Sequence, residues 1–199
     1  MKRNKVLSLV IAGALTTAVV GGTLAYFISK DSVTNSFTTA KTGIQVEEVF
    51  DDSENGPHNS VKPGDEVNKD VSVRNKADYA QFIRVKLTPK FTGTDTAGLE
   101  LSKIKLNYKS GEVTDSPTTN KWVKNGDYYY YVGKVAPAGV TSYLLDSVTL
   151  DNTATDDKYQ GKGYDVDVEA EGVQADHDAF TDWGITAESD LGKALKDLQ

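Results

Sequence analysis

From Ile44 to Glu171 the chain alternates apolar and polar positions in short runs. Ile44 and Val46 alternate with polar neighbours up to Phe50, and Val67, Val71 and Val73 mark a second run. Ile83, Val85 and Leu87 share one face of a third, with Phe82, Arg84 and Lys86 on the other. Ile104, Leu106 and Tyr108 alternate with Lys103, Lys105 and Asn107. Tyr164, Val166, Val168 and Ala170 alternate with Asp165, Asp167, Glu169 and Glu171. A period of two with one charged face predicts strands buried on a single side. Trp122 to Lys124 and Tyr128 to Val132 flank Asn125-Gly126, which predicts a tight hairpin there, or one lengthened by Asp127.

Turn-rich segments separate these runs: 51–64, 93–98, 111–120, 137–139 and 151–163. About eight short strands divided in this way predict an all-β antiparallel sandwich or jelly roll. The tail, 187–198, carries a helical stripe of Leu191, Ala194, Leu195 and Leu198. There is no internal repeat, and one domain is expected over 41–199.

The N-terminal end is different in kind. Three basic residues, Lys2, Arg3 and Lys5, precede a charge-free apolar run from Val6 to Leu24. The run is long enough to span a bilayer, so an uncleaved anchor is the competing reading. Small residues at Thr23 and Ala25 make Ala25–Tyr26 a signal-peptidase bond, and residues 1–25 are read as a signal peptide helix. Cleavage would free an arm, 26–40, with Tyr26, Phe27, Ile28, Val33 and Phe37 as its apolar side chains. An extended, partly apolar arm can add itself as a strand to a sheet edge. Burying four or five such side chains yields on the order of 6–12 kcal/mol gross. Ordering the arm and losing translational freedom offset much of that.

Composition narrows the partners. The leader would take three of the 22 basic residues with it, leaving 19 against 29 acidic ones and a net charge of −10. Such a surface repels nucleic acid and anionic lipid, so the membrane is a partner only through the uncleaved signal. Without cysteine the chain has no disulfide, no thiol nucleophile and no lipoprotein anchor. An exported, cysteine-free chain suits a Gram-positive envelope.

Catalytic signals are weak. Asp51-Asp52-Ser53-Glu54-Asn55-Gly56 resembles the opening of a calcium loop, but Lys62 stands where a bidentate Glu belongs. His58 and His177 are the two histidines, with no HExxH pair, and Asp176-His177-Asp178 reads as a solvated turn. No GxSxG elbow or phosphate-binding glycine pattern occurs. No catalytic residue, metal or cofactor is expected. Tyr128 to Tyr131 suggest either strand packing or sugar stacking, and alternation sends neighbouring rings to opposite faces. The stripe Asp165, Asp167, Glu169, Glu171 is expected to be a solvated face that blocks sheet stacking.

Four segments together carry a resemblance: GGTLAYF at the signal junction, VKPGDEVNKDVSVRN at 61–75, KYQGKGYDVDVEAEGVQAD at 158–176, and FTDWG at 180–184. They resemble the TasA/camelysin family of exported Gram-positive proteins, which are processed by the dedicated signal peptidase SipW. YYYYVGKVAPAGVTSYLLDSVTL at 128–150 is similar to the SipW-dependent biofilm matrix proteins of the BsaA type. The resemblance implies a jelly-roll subunit of extracellular matrix fibres, joined head-to-tail as each mature N-terminus completes the sheet of the next copy. It implies self, the SipW-type peptidase and other matrix proteins as partners. Carried onto this chain, the donor strand is Tyr26 to about Thr39. Two alternatives stand beside it: a secreted camelysin-like metalloendopeptidase, and a monomeric cell-surface adhesin using Tyr129 or Tyr131. No wall-sorting signal of LPxTG type is present.

Overall fold

Pairing of the alternating runs produces two facing sheets. A computed structural model describes residues 43–49, 63–154, 157–159 and 162–199. The signal peptide and arm predicted for 1–25 and 26–40 lie outside them, as do the calcium-like loop and His58. Nine strands are described: β1 (Ile44–Val49), β2 (Glu66–Asn75), β3 (Gln81–Thr92), β4 (Ile104–Tyr108), β5 (Val113–Thr114), β6 (Trp122–Asn125), β7 (Tyr128–Val135), β8 (Leu145–Leu150) and β9 (Gly163–Gln174). One sheet has the order β1-β2-β8-β4, the other β5-β6-β7-β3-β9. Pairing is antiparallel except between β5 and β6, which run parallel. The all-β sandwich read from the pattern is therefore present.

The space between the sheets takes the side chains assigned to it. Val71, Val73, Ile83, Val85, Tyr164, Val166, Val168 and Val148 are all fully buried there. Polar links also join the two sheets. Asn75, at the end of β2, donates from Nδ2 to the carbonyls of Tyr79 and Val135, both at 2.8 Å, and accepts from the Ala77 amide at 2.8 Å. Every hydrogen-bonding group of this buried amide is used, and β2 is thereby tied to the last residue of β7 in the opposite sheet. The hydroxyls of Tyr108 on β4 and Tyr129 on β7 form the second link. Burial, then that hydroxyl contact, pushes the Tyr108 pKa above the usual phenol range.

A second apolar layer lies on the far side of the five-stranded sheet. Phe82, Val123, Tyr130, Val132 and Val173 face outward from it, and Phe180, Ile185, Leu191 and Leu195 close over them. The closing segment is a 3-10 turn at Ala179–Trp183 followed by helix α1 (Asp190–Lys196). Ser189 caps α1, its hydroxyl accepting from the Gly192 amide at 3.0 Å. A Cβ on Gly192 would lie 2.0 Å from the Thr186 carbonyl oxygen, so only glycine lets the helix settle this closely. The tail helix is shorter than the predicted 187–198, but Leu191 and Leu195 are its buried pair, and Ala194 and Leu198 are partly buried beside them. Among the described residues no helix is long and apolar enough to cross a membrane.

Three local expectations change. The hairpin loop is Gly126-Asp127, because Asn125 still pairs with Tyr128 and Gly126 takes a φ of +63°. The alternating runs also miss β8. Bulges opposite it, between Asn68 and Val71 and between Asn107 and Tyr108, space its buried Leu145, Val148 and Leu150 unevenly. The acidic stripe on β9 is not a bare solvated face. Arg84 meets Glu171 at 2.6 Å, Lys90 lies between Asp167 at 2.6 Å and Asp165 at 3.5 Å, and Asp165 is fully buried. Register explains this: β3 runs antiparallel to β9 with Arg84 opposite Glu171 and Lys90 opposite Asp165, so the basic face of one strand matches the acidic face of the other.

Candidate assembly surface

The sequence places function at the junction of arm and domain, and the described chain starts there. The Gly43 carbonyl accepts from the Lys76 amide at 2.8 Å, which fixes the first described residue just past the end of β2. The cleavage residues Thr23, Ala25 and Tyr26 and the donor residues Tyr26, Phe27, Ile28, Val33 and Phe37 lie outside the described residues.

β1, which follows that segment in the chain, is among the described residues an edge strand, paired with β2 from Ile44 opposite Asn75 to Val49 opposite Asp70. Ile44 and Val46 bury their side chains between the sheets. The edge of the other sheet, β9, comes close at one point. A Cβ on Gly172 would lie 2.9 Å from Ile44 Cγ2 and 3.2 Å from the Gln81 amide, so the missing side chain is what lets β1 and β9 approach. Gln81 is fully buried there, and neither amide atom has a hydrogen-bond partner.

On the side of β2 away from β1, the loop between β7 and β8 behaves as an extension of the sheet. Ala138 N donates to Asn75 O at 3.0 Å, and Asn75 N donates to Gly139 O at 2.9 Å. Val140 forms a bridge with Arg74, Thr141 N donates to Val73 O at 2.9 Å, and Leu144 N donates to Val71 O at 2.7 Å. Val73 N returns a bond to Thr141 Oγ1 at 3.0 Å, and Trp122 Nε1 donates to Ser142 O at 3.1 Å. Arg74 binds Glu47 of β1 through its guanidinium and donates from Nη1 to Ala138 O at 2.8 Å, joining β1, β2 and the loop. The turn expected at 137–139 is present, and the strand-like run after it is one that the alternation does not predict. Its signal was present in Val140-Thr141-Ser142-Tyr143-Leu144, β-branched and aromatic residues with no charge.

The tyrosine run divides as alternation requires. Tyr129 and Tyr131 are 4% and 8% exposed inside the sandwich, so neither ring has a face to offer a sugar, and the adhesin reading loses its proposed contacts. Tyr130 lies in the outer layer against Trp183, with ring centroids 5.7 Å apart. Tyr128 carries Arg84 over its ring at 3.9 Å. His177 occupies an exposed turn, with its side chain 86% exposed and Nδ1 3.2 Å from Asp176 Oδ2. The carboxylate of Asp178 points to Lys196 at 3.5 Å.

A family model described as camelysin metallo-endopeptidase matches residues 1–100. No curated protein matches the chain. The name of the family implies a metal, and the described residues do not fit one. His177 has one carboxylate beside it, the other neighbouring acid is turned to a lysine, and no group of three His, Asp or Glu converges among the described residues. The match itself runs from Met1 through GGTLAYF and VKPGDEVNKDVSVRN to the end of β3 and beyond, half of the chain and two of the segments that carry the resemblance. By that match, this chain belongs to the TasA/camelysin family.

Proposed function

We propose that this chain is a secreted structural subunit of extracellular fibres of a Gram-positive biofilm matrix, with the mature N-terminal arm joining copies head-to-tail. The observation that carries the reading is the position of β1. The arm precedes β1 in the chain, and among the described residues β1 is an edge strand with one neighbour in its own sheet and a close approach to the edge of the other at Gly172. A segment leaving the fold there is already at a sheet edge, where strand addition needs no rearrangement of the core. Of the described edge strands β9 is the longest, twelve residues with β3 on one side. An arm of fourteen residues, Tyr26 to Thr39, reaches about 46–50 Å when extended, enough to run the length of such an edge. Strand addition between copies is heterologous and yields open filaments unless the rotation closes a ring.

The finer architecture follows the same reading. A jelly-roll connectivity is supported by the nested pairs β2–β8 and β3–β7, with β8 lying between β2 and β4. Residues 1–25 act as the signal peptide, removed by a SipW-type peptidase between Ala25 and Tyr26. The role is structural and not catalytic, supported by the exposed and incompletely surrounded His177.

Electron microscopy of purified protein beginning at Tyr26 tests the proposal. Filaments are expected, and a chain lacking Tyr26 to Phe37 should stay folded and monomeric at the same concentration. Assembly by that truncated chain would overturn the arm as donor. Mass spectrometry of culture supernatant should find Tyr26 as the N-terminus. The name of the matched family makes proteolysis the reading to exclude. Casein cleavage that is chelator-sensitive and lost in His177→Ala would replace the structural role with an enzymatic one.

A further inference from the structure

Resting on the assembly reading, we infer that Val140 and Tyr143, on the pinned loop between β7 and β8, form the surface that packs against a second copy of this chain at the root of its arm. If Tyr26 to Thr39 enters a neighbouring copy, the link from Thr39 to Gly43 spans at most about 14 Å. The acceptor copy therefore lies against the face from which the arm leaves. Val140 belongs to that face. It bridges Arg74, which pairs with Gln45 of β1 across the other side of β2. Two strand spacings separate Val140 from β1, about 10 Å.

The chemistry of this face differs from the rest of the surface. Among the described residues the large apolar side chains left exposed are Leu101, Val140 and Tyr143, at 50%, 38% and 40%. Two of the three lie three residues apart on this loop. The loop residues flanking them, Ala138, Gly139, Thr141 and Leu144, are bonded to β2 at Asn75, Val73 and Val71, so the two side chains sit on a fixed frame. Ala138 enters the loop at a φ of +62°, a conformation that a side chain makes costly, and Arg74 secures its carbonyl. Charge points the same way. Copies of the mature chain, with a net charge of −10, repel, so their contact requires a locally balanced patch. Two ion pairs border it, Arg74 with Glu47 and Lys109 with Asp146 at 2.6 Å. Apolar side chains between neutralised pairs suit a second copy better than a small ligand.

The test is the double variant Val140→Glu/Tyr143→Glu in protein beginning at Tyr26, followed by sedimentation and electron microscopy. The concentration needed for filaments should rise about tenfold or more, because two charges would be buried at each junction. A labelled peptide spanning Tyr26 to Thr39 should still bind the variant as it binds the parent chain. Filaments forming at the parental concentration overturn this inference. If the truncated chain lacking Tyr26 to Phe37 stays monomeric in the same experiment, the arm reading survives that failure. Should the truncated chain assemble and the double variant not, the surface stands and the arm reading falls. A second measurement covers a double variant that does not fold. The chain has no cysteine, so Tyr143→Cys places one environment-sensitive dye at the surface. Its emission should shift to the blue on assembly, and unchanged emission in filaments overturns the contact.

Discussion

The two outer faces of the sandwich are built on different principles. Behind the five-stranded sheet, one half of the face is apolar and closed by Phe180, Leu191 and Leu195. The other half is a ladder of matched charges, with Arg84 held between Glu171 and the rings of Tyr128 and Trp183. Behind the four-stranded sheet nothing closes among the described elements. Asn107 of β4 donates to Ser147 and Thr149 of β8 at 2.9 and 2.8 Å, and Ser147 in turn bonds Glu66 of β2. One sheet thus has apolar side chains on both faces over part of its area, and the other carries polar residues on its outer face, Ser72 and Ser147 buried among them. Among the described residues the edge strands of the polar sheet, β1 and β4, each have one neighbour.

The sharpest test of that contrast is Phe180→Ala, which opens the closed half. It should cost about 3–5 kcal/mol in chemical denaturation, as deletions of fully buried aromatic rings do. A loss under about 1 kcal/mol would mean that the tail covers the sheet without contributing to the fold. Arg84→Ala removes a partly buried charge from its carboxylate and two rings, and a loss of about 1–3 kcal/mol is expected. On the polar face, Asn107→Ala should change stability by about 0.5 kcal/mol or less, since water replaces its partners. If it matched Arg84→Ala, the distinction between the faces would fail. The smallest effect concerns pH. The hydroxyl and then the amide of Thr153 bond the Asp151 carboxylate, and with Lys105 they hold its pKa at about 2. A depressed pKa in the folded state gives stability that is present above about pH 4 and lost as pH falls through 2. Asp151→Asn should therefore flatten the acid limb of the stability profile between those values, lowering the neutral plateau slightly and leaving stability below about pH 2 nearly unchanged.

How much of this was legible depended on whether a strand has one buried face or two. β3 and β9 declared themselves because Ile83, Val85 and Leu87 alternate with polar residues, and Tyr164, Val166 and Val168 with acids. Period two survives wherever one side is charged. At Phe82, Val123 and Val132 the second layer removes the polar alternation, and the sequence alone gives no sign of what covers them. The helical stripe at Leu191 and Leu195 implied a buried partner without naming it. Charge complementarity between β3 and β9 was unreadable for another reason: each stripe looks solvated until the register sets them opposite each other. The same limit applies to the candidate surface. Exposure of Val140 and Tyr143 follows from backbone bonds to β2, a strand 65 or more residues earlier in the chain, and no local pattern encodes such a pairing.

The closing segment has a consequence in time. Polypeptides emerge N-terminal end first, at about 5–20 residues per second during synthesis. The inner core needs β9 before β3 has its long partner, and the outer layer needs Leu195 before Phe82, Val123, Val132 and Val173 are shielded. Pairings so distant in sequence form late, after the cost of closing large loops has been met. For most of its emergence the chain therefore displays an apolar sheet face together with unpaired strand edges, a combination prone to indiscriminate sticking. The final two dozen residues act as a timer: the face that would aggregate closes last, when every strand it must protect is already in place.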